Sequence, residues 1–329
     1  MKFEELFRKI KQLKVGIVGD VMLDTYMWGN VERISPEAPV PIVSLKNKEN
    51  RIGGAGNVAL NCIALQANTH IFSVIGNDED GNKLIQLLNE NNIDTGGIIK
   101  SSNRITTNKL RIIARNQQMM RLDAEITNDI NAIEECELLT KLELFIATQN
   151  PDVIIFEDYN KGVLTEKLIA KAIQLCKEND IITSVDPKHK NFFNFKGVTI
   201  FKPNFKETIE ALGIVDNIIS LEQLNKIHHQ LKEKLQHHIS FITLSEKGVY
   251  YNSGNEANLM EAHIRKIADV SGAGDTVIAV ASLVYAASKN ISLSTQIANI
   301  AGGLVCEQVG TVAINKMALM QEIYKLLVE

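Results

Sequence analysis

Asp269-Val-Ser-Gly-Ala-Gly-Asp-Thr-Val-Ile-Ala-Val280 is the stretch around which the rest of the chain can be arranged. Gly272, Ala273 and Gly274 are too small and flexible to favour a helix. Val277, Ile278, Val280, Ala281 and Val284 behind them are apolar at helical spacing. A glycine turn therefore opens onto a helix. Several backbone N–H groups at such a start lack intrahelical partners, and the macrodipole adds partial positive charge, so the turn can hold an anion. Asp275 sits where a transferred phosphoryl group would want only positive charge. If the turn holds phosphate, Asp275 reads as a base that takes a proton from an attacking hydroxyl. The plainer alternative is a helix whose first turn is stabilised by an acid, and these twelve residues alone leave both open.

The whole chain sets the bounds. Its 329 residues are 45% hydrophobic and 22% charged, with a net charge of −4. That is ordinary for a globular α/β protein and argues against a nucleic-acid partner. No apolar run reaches a membrane span, and Met1–Ile10 reads as an amphipathic charged helix without a signal-peptide core. A cytoplasmic protein is expected. Cys62, Cys136, Cys176 and Cys306 each fall in an apolar helical pattern and read as reduced core residues. His228-His229 and His237-His238, in a polar helix and at its exit, read as solvated surface.

Working outward, Lys14–Gly19 is a short buried strand followed by Asp20 and Asp24, both candidates for bonds to ligand hydroxyls at a strand end. For Asp20, capping the following turn is the alternative. Residues 26–50 contain three prolines among β-branched residues and read as extended chain. Arg51-Ile-Gly-Gly-Ala-Gly-Asn57 is a second glycine turn running into a helix, with the Asn57 amide able to face a ligand. Residues 106–115 and 117–123 read as a hairpin turning near Asn116. Residues 97–124 hold six Lys/Arg (Lys100, Arg104, Lys109, Arg111, Arg115, Arg121) against one acid, Asp123. That basic ribbon points to a small anionic ligand, or else is simply solvated. From residue 130 buried strands at 152–157, 181–186, 198–201 and 239–244 alternate with helices, which predicts a mostly parallel sheet covered on both faces. Each strand ends in polar residues at one edge: Glu157–Lys161, Asp186–Lys188, Lys202–Asn204 with Glu207, and Thr243–Gly248.

Gly53–Ala59 and Asp269–Thr276 resemble the two signatures of the ribokinase-like (PfkB) carbohydrate kinases, and Asn204-Phe-Lys-Glu207 is similar to that family's N-x-x-E. The resemblance covers essentially the whole chain. Gly19–Asp24, Arg33–Pro41, Lys109–Arg111, Arg115–Gln118, Arg121–Asp123, Asp158–Gly162 and Asp186–Lys188 resemble the D-glycero-β-D-manno-heptose 7-phosphate kinases, which act in ADP-heptose synthesis for lipopolysaccharide. The resemblance implies one ribokinase-like three-layer α/β/α domain over 1–329, with a β-lid at about 26–50 and 98–124 and no adenylyltransferase domain. It implies Asp275 as base and the amides of Gly272, Ala273 and Gly274 around the transferring phosphoryl group. Asp24, Gly53, Gly54 and Asn57 would bind sugar hydroxyls. Some of Lys109, Arg111, Arg115, Arg121 and Lys161 would cradle the substrate's own phosphate. Asn204 and Glu207 would lie at the ATP phosphates, with Glu207 reaching Mg²⁺ through water. Thr243, Ser245 and Gly248 would border the nucleotide, with Asn299 and Gly302 near adenine. A monovalent cation is an optional further requirement. A homodimer through the lid and a separate downstream adenylyltransferase are the implied partners. A kinase of another sugar phosphate and a silent sugar-binding protein of the same fold remain as alternatives. A dinucleotide oxidoreductase does not, because no G-x-G-x-x-G follows the first strand.

Overall fold

In the computed structural model, residues 3–115, 117–215, 218–263 and 265–327 are described; the turn expected at Asn116 lies outside them. The chain opens with α1 (Phe3–Ile10) and β1 (Lys14–Gly19). The hairpin β2 (Val21–Ile34) and β3 (Pro41–Gly54) follows, then α2 (Ala55–Ala64), β4 (Asn68–Gly76), α3 (Glu79–Glu90) and β5 (Asp94–Ser101). A second hairpin, β6 (Asn108–Ala114) and β7 (Gln117–Ala124), precedes α4 (Ala132–Gln149), β8 (Val153–Glu157), α5 (Glu166–Glu178), β9 (Ile182–Asp186) and β10 (Ile200–Phe201). The C-terminal part holds α6 (Phe205–Leu212), α7 (Leu221–Leu235), β11 (Ile239–Thr243), β12 (Val249–Asn252), β13 (Ala257–Met260), α8 (Ala273–Ser288), α9 (Ile291–Val305) and α10 (Lys316–Leu327).

The large sheet has nine strands in the order β13-β12-β11-β10-β9-β8-β1-β4-β5, parallel except where β12 and β13 turn back. Successive strand residues face opposite ways, and each way is covered. Ile17, Ile71 and Ile155 pack under α1, α2, α8 and α9. Val18, Phe72 and Phe156 pack under α4, α5 and α7. Two apolar layers against one sheet explain why the strands read as continuous hydrophobic runs. It is the expected three-layer arrangement.

The two hairpins form a separate four-stranded sheet, β3-β2-β6-β7. Its bounds differ from the expected lid: Ile98–Ser101 pair with β4 in the large sheet, and the long hairpin starts at Val21 and runs to Gly54. The basic count over 97–124 thus merged two sheets, since neither carries a helical period. Two surface assignments also fail. His228 and His237 are buried, both bonded to Ser240 Oγ (2.9 and 2.6 Å); that hydroxyl lies on β11, which residue spacing in α7 could not reveal. Cys136 is exposed on α4, and Cys306 is half-buried, rather than in the core. Among the described residues no helix is long and apolar enough to cross a membrane.

Candidate active site

The polar strand ends converge beside the start of α8. Gly272 is the N-cap of that helix in the left-handed region (φ 78°), and a Cβ there would come within 2.7 Å of Asn57 Nδ2. Only glycine meets both demands without strain. The two glycine turns therefore touch. Ala273 donates its N–H to Val270 O (3.2 Å), so one of the three amides expected around a phosphoryl group is engaged within its own turn.

Asp275 is buried, and both its oxygens are held. Asn57 Nδ2 donates to Oδ2 (2.7 Å), and Tyr159 Oη donates to Oδ1 (2.8 Å). Burial pushes its carboxyl up to about 6, and these two bonds pull it only part of the way back. Glu157 and Asp186, at the ends of β8 and β9, bring carboxylate oxygens within 4.8 Å of those of Asp275. Asp186 pairs with the buried Lys202 (2.7 Å) and with Lys188 (3.5 Å). Burial alone would raise its carboxyl, but the two lysines hold it below the ordinary range. Glu157 has no such partner. Both its oxygens are buried and unbonded, and burial together with Asp186 and Asp275 pushes its carboxyl well up.

On one side of Asp275 a cleft of about 1150 Å³ runs along the sheet edge. Its lining includes Lys188, Lys202, Asn204, Thr243, Ser245, Gly248, Gly272, Ala273, Gly274, Asn299 and Gly302. The residues expected around the nucleotide thus share one cavity. Glu207 is set back from it. Asn204 and Glu207 form the capping box of α6, each side chain bonding the other's backbone N–H (2.8 and 2.9 Å), and Glu207 Oε1 takes Lys188 Nζ (2.6 Å). This local task is one the sequence reading did not assign to the pair.

The small sheet reaches the same site through Tyr159, whose ring lies near Lys109 and whose hydroxyl bonds Asp275. Strand register puts Asp24, Tyr26, Lys109, Arg111, Arg121 and Asp123 on one face, because Asp24 lies opposite Lys109, Tyr26 opposite Arg111, and Arg111 opposite Arg121. Arg111 pairs with the buried Asp24 (2.5 Å). Gly53 is pressed against that acid: a Cβ there would meet Asp24 Oδ2 at 2.4 Å. Gly54, in the left-handed region (φ 59°), packs on Asp20 O. Arg121 grips Asp123 (2.8 and 3.0 Å), and Lys161 pairs with Glu125 (2.8 Å). Lys109 is different. Its ammonium lies 5.1 Å from the Tyr159 ring centre, and among the described residues it has no carboxylate within ion-pair distance. Burial, reinforced by Lys161 and Arg111, lowers its proton affinity despite Asp24. Arg115 is not brought to this group. It lies four residues further along, roughly 13 Å by strand rise, and donates to Val31 O (3.0 Å).

Asp20 is a correction. Its carboxylate accepts the N–H groups of Tyr159 (2.8 Å), Lys161 (3.0 Å) and Val163 (3.1 Å), so it builds the turn after β8 and is not left to meet a ligand. Tyr159, Lys188 and Lys202 were missed as site residues. The signal was there in the polar strand ends, but only the fold shows which of those side chains point at Asp275.

Comparison with known proteins agrees with this architecture. The chain is 37% identical over 316 residues to the Bifunctional protein HldE of Syntrophotalea carbinolica and 40% identical over 311 residues to that of Methylobacillus flagellatus. These alignments cover 95% and 93% of this chain but 63% and 62% of the relatives, so it spans less than two thirds of their length. Phosphofructokinase-2 from Escherichia coli, solved in complex with potassium, superposes with a TM-score of 0.79 at 16% identity, covering 97% of this chain and all of that one. Arabidopsis thaliana ribokinase, complexed with ribose and ATP, gives 0.73 at 15% identity over 94% and 98%. At such identities the two structures speak for the fold alone. Residues 12–317 match the family described as pfkB family carbohydrate kinase. With that match over nearly its whole length, the chain belongs to the pfkB family of carbohydrate kinases, phosphotransferases that use ATP and typically a divalent metal to phosphorylate a sugar hydroxyl.

Proposed function

We propose that this kinase transfers the γ-phosphoryl group of ATP to the 1-hydroxyl of D-glycero-β-D-manno-heptose 7-phosphate, giving the 1,7-bisphosphate for ADP-heptose synthesis. The observation that carries a phosphorylated sugar is Lys109, a half-buried ammonium without a carboxylate partner among the described residues, beside the ring of the Tyr159 that bonds Asp275 and outside the cleft lining. A cation held this way gains when an anion arrives. Arg111 and Arg121 on the same face and nearby Lys161 add positive charge. Heptose among sugar phosphates rests on the resemblance carried by Gly19–Asp24, Arg33–Pro41 and Asp158–Gly162.

In this reading the sugar hydroxyl approaches Asp275, whose carboxylate keeps lone pairs beyond those given to Asn57 and Tyr159. As the new O–P bond forms and the bond to the β-phosphate oxygen breaks, Asp275 takes the hydroxyl proton and ADP leaves. A positioned base of this kind contributes about 10²- to 10⁴-fold. The helix-start amides and Lys202 lie where charge develops on the transferred group. Glu157, with two buried unbonded oxygens, and Asp186 offer the oxygen donors that suit Mg²⁺, with Glu207 acting through water. When bound, that ion would neutralise phosphate charge. Thr243, Ser245, Gly248, Asn299 and Gly302 would surround the nucleoside.

We assign the small sheet as the lid, with its boundaries at β2, β3, β6 and β7. Its other face carries Met27, Leu110 and Ile112 with the exposed Leu45, Met120 and Leu122, which supports a homodimer formed lid to lid. Adenylyl transfer would fall to an activity outside the residues described. ATP consumption measured with heptose 7-phosphate against fructose and ribose phosphates, with the position of the new phosphate determined, tests the substrate. Equal or better turnover of another sugar phosphate would reject heptose.

A further inference from the structure

Tyr159 occupies a position that neither the sequence signatures nor the roles above account for. Its backbone is fixed by a buried acid: Asp20, 1% exposed, accepts three N–H groups from the turn 159–163. A carboxylate bound by three amides holds a turn rigidly. That turn drives the phenol into the site, where its hydroxyl donates to Asp275 Oδ1 at 2.8 Å. Asn57, from α2, holds the other oxygen. The carboxylate plane is therefore set by two donors from two distant parts of the chain.

The ring has contacts of its own. Lys109 Nζ, from the small sheet, lies 5.1 Å from its centre, and Lys188 Nζ, from the nucleotide side, lies 5.8 Å away. Both are within the range of cation–π attraction. Lys188 also reaches Asp186 and Glu207. One side chain thus touches the base through its hydroxyl and a cation from each substrate's side through its ring. The other charged groups around Asp275 (Glu157, Asp186 and Lys202) make no hydrogen bond or ion pair with it, so they do not fix its orientation.

Resting on the reading of Asp275 as base, we propose that Tyr159 is a positioning residue: its hydroxyl aligns the Asp275 carboxylate for the sugar hydroxyl, and its ring holds Lys109 in place for the sugar's phosphate. The two functions are separable because they use different atoms. Tyr159→Phe keeps the ring and removes the hydroxyl. Tyr159→Leu removes both.

The test is steady-state kinetics of the full chain with ATP and heptose 7-phosphate, the thermal unfolding midpoint of each variant being measured alongside. For Tyr159→Phe, kcat falls about 10- to 100-fold, the scale of one hydrogen bond to a charged group, while both KM values stay within about twofold. For Tyr159→Leu the sugar-phosphate KM rises as well, and the ATP KM does not. Because Tyr159 acts through Asp275, the double variant Asp275→Asn/Tyr159→Phe is no slower than Asp275→Asn alone. Multiplied losses in the double variant, an unchanged kcat in Tyr159→Phe, or parallel rises of both KM values in Tyr159→Leu would each overturn the proposal. A near-native rate for Asp275→Asn would instead remove the base itself. Should Tyr159→Leu fail to fold, Tyr159→Phe and the double variant decide the matter.

Discussion

Replacing Lys109 by methionine isolates the proposed substrate-phosphate site more cleanly than the arginine changes do. Arg111→Ala would be the obvious choice, but Arg111 pairs with Asp24, only 4% exposed, and breaking that pair strands a buried acid at a cost of about 3–5 kcal/mol. A damaged fold would then mimic a damaged site. Among the described residues Lys109 has no carboxylate within ion-pair distance to strand, and methionine keeps an unbranched chain while removing the charge. Because burial already lowers the proton affinity of the ammonium, its removal should leave the thermal midpoint unchanged or higher. A charge-assisted contact to phosphate is worth about 1.5–3 kcal/mol, so the sugar-phosphate KM should rise about 10- to 150-fold. Lys109 lies outside the cleft lining, and the ATP KM should stay within about twofold. The assay is ADP release with each substrate varied in turn, repeated with the unphosphorylated heptose. Discrimination between phosphorylated and free sugar should shrink by the same factor. An unchanged sugar-phosphate KM, or an ATP KM that rises in step with it, would refute the assignment.

Three further outcomes follow from the same geometry. Asp275→Asn should lower kcat about 10²- to 10⁴-fold with the fold intact, and in the native enzyme the rate should fall as pH drops through about 6, because the base works only when ionised; a pH–rate profile flat from 5 to 8 would refute the role. Burial of His228 and His237 takes their imidazoles down to about 4 and about 3. With folded values below the ordinary 6.5, the unfolded chain binds these protons first, so stability is complete above pH 6.5 and is lost as pH falls from there toward 3. At pH 5 either histidine accounts for about 2 kcal/mol, and urea unfolding at pH 7.5 and 5 should show a smaller drop for His237→Gln than for the native chain, an equal drop counting against it. Leu122→Glu, on the outer face of the small sheet, should convert a dimer to a monomer in sedimentation, and an unchanged mass would exclude that face as the contact.

What the sequence disclosed follows from the range of each interaction. The glycine turns were readable because a left-handed N-cap at Gly272 and close approach at Gly53 are demands on single residues. The sheet was readable because burial on both faces leaves apolar strands without alternation. Partnerships across the fold were not readable. Asp20 offered two local roles, yet its donors lie about 140 residues on, at Tyr159, Lys161 and Val163. His228 and His237 looked polar because the Ser240 hydroxyl that satisfies them belongs to another element. Arg115 was grouped with Lys109 and Arg111 by charge, and strand rise then carried it past the far end of their strand, into the turn.

The same reasoning supports the proposal of Asp275 as the base among three neighbouring buried acids. Asp186 is paired with Lys202 and Lys188, which lower its proton affinity and make it a weak base. Among the described residues Glu157 has no hydrogen-bond donor, and burial with its two acidic neighbours raises it well up, so nothing orients it toward a hydroxyl. Asp275 falls between them, held by two neutral donors and by no direct cation. Neutral donors orient a carboxylate without cancelling its charge, and a carboxyl near 6 is ionised at neutral pH yet still accepts a proton readily. Had either lysine bonded Asp275 directly, the acid would remain charged but lose basicity. The diversion of both cations onto Asp186 is therefore what leaves Asp275 fit to activate a hydroxyl.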